Sequence, residues 1–183
     1  MTEDEIHYSI WVSPPPESVV YDQVSRLIKN AHKACPSVTD AVFQPHITVV
    51  GSFMASSDED AVVNARNLAR ATAGPITVEF EAEPAVVEAD KWNMVVVFWI
   101  DDDGDLLALH KAFGGGGEGY TPHMSLCYGC SSRQERVDLA KRMKEVTTLS
   151  GRCRFEIDSV ELWKTEGGLN GVTGWREIDR FEL

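Results

Sequence analysis

Basic residues are scarce in this chain, long apolar runs are missing, and its few cysteines do not pair into a familiar cofactor pattern. Of 183 residues, 17 are Lys or Arg against 29 Asp or Glu, a formal net charge of −12. Proteins that track a nucleic-acid backbone displace its counterions with Lys and Arg, so this balance argues against a long polynucleotide partner. Small anions stay open as ligands, because at physiological salt the Debye length is about 8 Å and only nearby charge acts on them. The longest apolar run, Met94 to Ile100, is far too short to cross a bilayer, and no membrane association is expected. The opening MTEDEIHYS is acidic and lacks the basic and apolar regions of a secretory signal, so a cytoplasmic location is the expectation.

The remaining absences concern cofactors. The cysteines are Cys35, Cys127, Cys130 and Cys153, and Cys127 and Cys130 have C-x-x-C spacing. A zinc ribbon needs a second such pair, which is missing, and Cys127 lies in an apolar stretch where a small buried thiol is ordinary. Asp101-Asp102-Asp103-Gly104-Asp105 opens like a calcium loop, but its sixth position is Leu106 and its twelfth Ala112. The glycine-rich stretch Gly114 to Gly119 lacks the Lys-Ser/Thr of a phosphate loop and reads as a connector or a rim. No metal and no other cofactor is expected.

What the chain does contain is a repeated tetrad. Pro45-His46-Ile47-Thr48 returns as Pro122-His123-Met124-Ser125. A chance Pro-His-x-Ser/Thr is expected on the order of a few hundredths of a time per chain, so two copies stand out. In an extended strand, residues i and i+2 share a face. Each copy therefore sets an imidazole beside a hydroxyl, with the apolar residue between them turned the other way. Histidine moves protons near neutral pH, and hydroxyls hold the oxygens of an anionic phosphoester. Two imidazoles on opposite sides of a phosphorus suit an in-line displacement, one taking a proton from water and the other giving one to the departing oxygen. A strained cyclic phosphodiester fits that chemistry best. A metal site built on the pair is the weaker reading, since neither motif carries Asp or Glu. His7, His32 and His110 read as structural.

Around the motifs, periodicity predicts a strand over 6–12 and a helix from about Glu17 to Ala34, with Val20, Val24, Leu27, Ile28 and Ala31 on one stripe. The first motif strand runs from His46 to Phe53. Ser56 and Glu59 have capping-box spacing ahead of a second helix that ends near Gly74. A strand through Ile76, Val78 and Phe80 is interrupted at Pro84, and a central strand spans Trp92 to Ile100. A short helix, 106–113, precedes the second motif strand, His123 to Tyr128. Ser132 and Glu135 cap a helix over 133–146, and strands over 152–164 and 174–181 finish the chain. The halves look like degenerate copies of one unit. The reading is an α+β protein, one domain over 1–183, of two pseudo-symmetric lobes with antiparallel sheets around a central cleft and helices outside.

PHITVV and PHMSLC resemble the paired H-h-[ST]-h signatures of the 2H phosphoesterase superfamily, where h is apolar. YSIWVSP, FQPHITV, WNMVVVF, TPHMSLCY and ELWKTEG…GWREI extend the resemblance to the plant and yeast cyclic phosphodiesterases and their LigT-like fold. The resemblance implies an enzyme that hydrolyses ADP-ribose 1″,2″-cyclic phosphate and opens nucleoside 2′,3′-cyclic phosphates to 2′-nucleotides; a monomer is the expectation. It implies catalysis by His46 and His123, phosphate binding by Thr48 and Ser125, a phosphate-pocket Tyr128 and a nucleoside-stacking Trp92. By the same analogy His123 activates water and His46 protonates the leaving oxygen, although the reverse leaves the site intact. Lys164 and Trp175 match the family's terminal hairpin, Trp175 as a packing residue. The plant enzyme's cysteine placement is not reproduced. Two other functions compete: a 2H-type phosphodiesterase or ligase acting on RNA ends, and a non-catalytic nucleotide-binding module.

Overall fold

Some strands alternate buried and more open residues while the central ones are buried along most of their length, and all join into antiparallel ladders. The computed structural model describes residues 6–34, 42–70, 74–88, 93–101, 104–116, 119–129 and 132–183. Among these, nine strands follow in order: β1 (Ile6–Val12), β2 (Ile47–Ala55), β3 (Ile76–Glu81), β4 (Ala85–Val86), β5 (Val96–Asp101), β6 (His123–Cys127), β7 (Arg152–Ile157), β8 (Ser159–Lys164) and β9 (Arg176–Glu182). The helices are α1 (Val19–Ala34), α2 (Asp58–Arg70), α3 (Asp105–Ala112), α4 (Arg133–Val146) and the single turn α5 (Gly168–Gly171). The sheet path is β7-β3-β5-β6-β2-β1-β8-β9, with β4 also paired to β5.

Helix α1 buries the stripe anticipated for it, Val20, Val24, Leu27, Ile28 and Ala31. It begins at Val19 because the Ser18 hydroxyl accepts the Tyr21 N–H at 3.1 Å, the mark of an N-cap. Helix α4 starts where its capping box requires: the Ser132 N–H donates to Glu135 Oε2 at 2.8 Å, and the Glu135 N–H donates back to Ser132 Oγ at 3.3 Å. At α2 the cap is Ser57 rather than Ser56. The Ser57 hydroxyl accepts the Asp60 N–H at 3.1 Å, while the Ser56 hydroxyl is taken by the Asp60 carboxylate.

The pseudo-symmetry is visible in how the helices cross. One lobe holds β1, β2, β8 and β9 with α2 packed on them; the other holds β3 to β7 with α4. Helix α1 follows β1 but packs on β6, β7 and α4 of the opposite lobe, and α3 follows β5 but packs on β2. The lobes meet where β2 pairs β6 through Ile47 and Met124, the central residues of the two motifs, both fully buried. The expected strand over 152–164 is broken at Asp158. Its first half, β7, pairs β3 in one lobe, and its second half, β8, pairs β1 in the other. The apolar pattern runs straight through this crossing, so only the pairing reveals it. Pro84 falls between β3 and β4, which share one side of β5.

The glycine loop before β6 is tied down at its start. Gly114 adopts a left-handed φ of 76° as the chain leaves α3. Gly115 lies over the His110 ring, where a Cβ would collide with it.

Candidate active site

Both motif histidines are oriented by the same local device. Proline cannot donate to a ladder, so each motif enters its strand with the preceding backbone available. His46 Nδ1 lies 2.7 Å from the Gln44 carbonyl oxygen, and His123 Nδ1 lies 2.9 Å from the Thr121 carbonyl oxygen. A carbonyl only accepts, so each Nδ1 carries the hydrogen and each neutral ring presents Nε2 as its lone pair. The surroundings of the two rings differ. His46 is 3% exposed, whereas His123 is half-buried with Trp99 edge-on at 6.0 Å. Burial pulls the His46 pKa down to about 4, and the nearby His123 adds to the fall against the opposing bond to Gln44.

An aromatic stack fixes the plane of His46. The Trp11 ring lies 3.7 Å from it at 9°, and Trp163 covers the far face of Trp11 at 4.4 Å. Each indole N–H donates to a polar side chain two residues earlier on its own strand: Trp11 to Ser9 Oγ at 2.7 Å, and Trp163 to Glu161 Oε2 at 2.8 Å. Glu161 is buried, which pushes its carboxyl up, and the Arg180 guanidinium at 3.1 Å faces it. β1 and β8 set Ser9 opposite Trp163 and Trp11 opposite Glu161, which places these groups together.

Tyr128 links the motifs. Its hydroxyl donates to His46 Nε2 at 3.1 Å, and the Ser125 hydroxyl is its other hydrogen-bonding neighbour. The ring is stacked on Phe43 at 3.8 Å, and burial raises its phenol pKa, keeping it a neutral donor. Ser125 is nearly buried and donates to the Asn93 carbonyl at 2.9 Å. Thr48 is half-buried and lines both parts of the cleft, cavities of about 350 and 230 Å³ that share Thr48, Gly51, Asn93 and Tyr128. His46 lines the larger part and His123 the smaller.

Five of the six anticipated site residues, His46, Thr48, His123, Ser125 and Tyr128, thus come together. Trp92 lies outside the described residues, as do Cys35, Cys130 and part of the Asp101–Asp105 and Gly114–Gly119 stretches. Two histidines read as structural also line the cleft. His7 Nδ1 sits 2.9 Å from Ser52 Oγ, and His110 donates from Nδ1 to the Val49 carbonyl at 2.6 Å while stacking on Tyr120. Trp175 reaches the cleft wall as well as packing, and Lys164 is held by Asp58 at 3.2 Å. Trp11 escaped the sequence reading because its role depends on pairing with β8, far away in the chain. Among the described residues, no Asp, Glu, Lys or Arg lines either part of the cleft. Nor do any three described His, Cys, Asp or Glu side chains gather as a metal site would need. Cys127 is buried in β6.

A family model described as the 2′-5′ RNA ligase superfamily matches residues 15–169. No curated protein matches the sequence significantly. Solved structures share the fold from end to end at low identity. LigT from E. coli, complexed with phosphate, aligns with a TM-score of 0.59 at 12% identity, covering 98% of this chain and 99% of its own. TT0787 from Thermus thermophilus gives 0.62 at 13% identity over 97% of each chain. Usb1 from Kluyveromyces marxianus gives 0.52 at 10%, over 97% of this chain and 98% of its own.

Proposed function

Because the chain belongs to the 2′-5′ RNA ligase superfamily, among the 2H phosphoesterases, we propose that it hydrolyses small cyclic phosphodiesters at the cleft between its two motifs. The substrates are nucleoside 2′,3′-cyclic phosphates, opened to 2′-nucleotides, and ADP-ribose 1″,2″-cyclic phosphate, opened to the 1″-phosphate. The observation that carries the reading is the pairing of Ile47 with Met124, which sets the two His-x-Ser/Thr faces side by side. LigT, which shares this fold, has been solved complexed with phosphate, and that supports a phosphate-bearing ligand here.

The chemistry follows from the geometry. Water attacks phosphorus in line with the P–O3′ bond, that bond breaks, and the 2′-ester remains. His46 is unprotonated in the free protein and takes the proton from water through Nε2. The stacked Trp11 face then favours the imidazolium that forms. His123 enters this step as the imidazolium, Nδ1 still on the Thr121 carbonyl, and delivers its Nε2 proton to O3′. Family analogy would exchange the two roles; the burial of His46 argues for this order. Thr48 donates to a non-bridging oxygen; the Tyr128 hydroxyl joins it by turning its hydrogen from His46 Nε2, which frees that nitrogen for water, and Ser125 by turning its hydrogen from the Asn93 carbonyl. The two lobes act as one unit, since each supplies one motif.

Incubation with the four nucleoside 2′,3′-cyclic phosphates in EDTA is expected to yield 2′-phosphates, read by phosphorus NMR. His46→Ala and His123→Ala are each expected to lower kcat by about 10²–10⁴-fold. Absence of turnover by the intact protein, or rates unchanged in both variants, contradicts the proposal.

A further inference from the structure

Behind the aromatic wall of the cleft lies a second cavity of about 320 Å³, bounded by α1, the segment 42–45 and β8. Trp11 and Trp175 line both spaces, so the cavity adjoins the cleft across those two rings. Its floor is aromatic, formed by the nearly buried Trp11, Phe43 and Trp163. Its edges are polar: Ser25 and Thr173 supply hydroxyls, and Gln44 supplies an amide whose oxygen accepts from the Tyr21 hydroxyl at 3.4 Å. Among the described residues no Asp or Glu lines it, and its one cation, Lys29, is exposed and has no ion-pair partner.

Resting on the cyclic-phosphodiester reading, we propose that this cavity is a subsite for a distal nucleobase, joined through phosphate to the ribose whose cyclic ester lies between His46 and His123. Trp11 is already covered by His46 and Trp163, so a planar ring packs against Phe43 and Trp163. Its heteroatoms find donors and acceptors at the edges, and the linking phosphate meets Lys29. Gln44 ties the two spaces together, because its carbonyl holds His46 Nδ1 while its side chain lines the cavity. Two kinds of substrate share this chemistry: a short RNA end carrying a terminal cyclic phosphate, and ADP-ribose 1″,2″-cyclic phosphate, whose adenine lies beyond a diphosphate.

The test compares wild type, Ser25→Trp, which fills the cavity, and Lys29→Glu, on the exposed face of α1. Substrates are a nucleoside 2′,3′-cyclic phosphate, a dinucleotide ending in the same cyclic phosphate, and ADP-ribose 1″,2″-cyclic phosphate. In wild type, at least one extended substrate is expected to have a KM roughly tenfold below that of the mononucleotide. Each variant raises that KM about tenfold and leaves the mononucleotide constants within about twofold. The extended substrate that shows the effect identifies the source of the distal base. Equal KM values for short and extended substrates in wild type, or a preference kept by both variants, overturns the subsite. If no substrate turns over, hydrolysis fails as the function, and the subsite is judged by titrating tryptophan fluorescence. The probes are then a 3′-phosphorylated dinucleotide, ADP-ribose and a nucleoside 3′-phosphate. Tighter binding of an extended probe, lost in both variants, supports the subsite; equal binding overturns it.

Discussion

His46 sits in surroundings that decide its role before any substrate arrives. Its ring is buried, stacked on Trp11, held at Nδ1 by a carbonyl and met at Nε2 by the Tyr128 hydroxyl. Burial holds its pKa at about 4, so above that pH the free protein carries a neutral base. The sign of the pH dependence follows directly. For a base, kcat/KM rises as pH climbs through about 4 and is level well below the ordinary histidine value near 6.5. For an acid, the same limb would fall with rising pH. A pH profile of the residual kcat/KM of His123→Ala on a nucleoside cyclic phosphate, in which His46 is the one motif histidine left to titrate, reads the difference: a rise through about 4 supports His46 as base, and a fall there hands that role to His123.

The helices follow their local chemistry closely, and the two places where they depart from it are measurable. Ser56 and Glu59 have capping-box spacing, yet the hydroxyl that accepts from the first turn of α2 belongs to Ser57. Ser57→Ala is therefore expected to cost about 1 kcal/mol in urea unfolding, and Ser56→Ala less, with Ser132→Ala in α4 as the matched reference at about 1 kcal/mol. Equal losses at Ser56 and Ser57 would return the cap to Ser56. The start of α1 shifted for the same reason, since Ser18 supplies its cap. Elements built from contiguous signals were legible: the stripe of α1, the capping box of α4, the alternation of β3 and both motif strands. The break at Asp158 was not, because β7 and β8 share one apolar rhythm and differ only in which lobe they pair with. The Trp11–Trp163 stack and the buried Glu161 escaped for the same reason, as cross-strand register alone brings them to His46. Four members of the cluster, His46, Thr48, His123 and Ser125, were legible because duplication is itself a sequence signal, whereas Tyr128 was suggested by the family resemblance alone.

Taken as a whole, the molecule combines a strongly acidic chain with a cleft that no acidic side chain lines among the described residues. The surface charge acts at long range and the cleft at short range, and salt separates the two. A small cyclic phosphate is governed by the cleft, so its kcat/KM is expected to change little between low and moderate ionic strength. A polyanion approaching an acidic protein is opposed by the long-range field, which salt screens. For an RNA of twenty or so nucleotides ending in a cyclic phosphate, kcat/KM is thus expected to start below that of the dinucleotide and rise with added salt. A basic nucleic-acid-binding surface gives the reverse, because binding then releases counterions and weakens steeply as salt increases. Measuring both substrates across a salt series distinguishes these cases. A steep fall for the long RNA would show a basic track on the surface and move the substrate from small nucleotides to RNA ends.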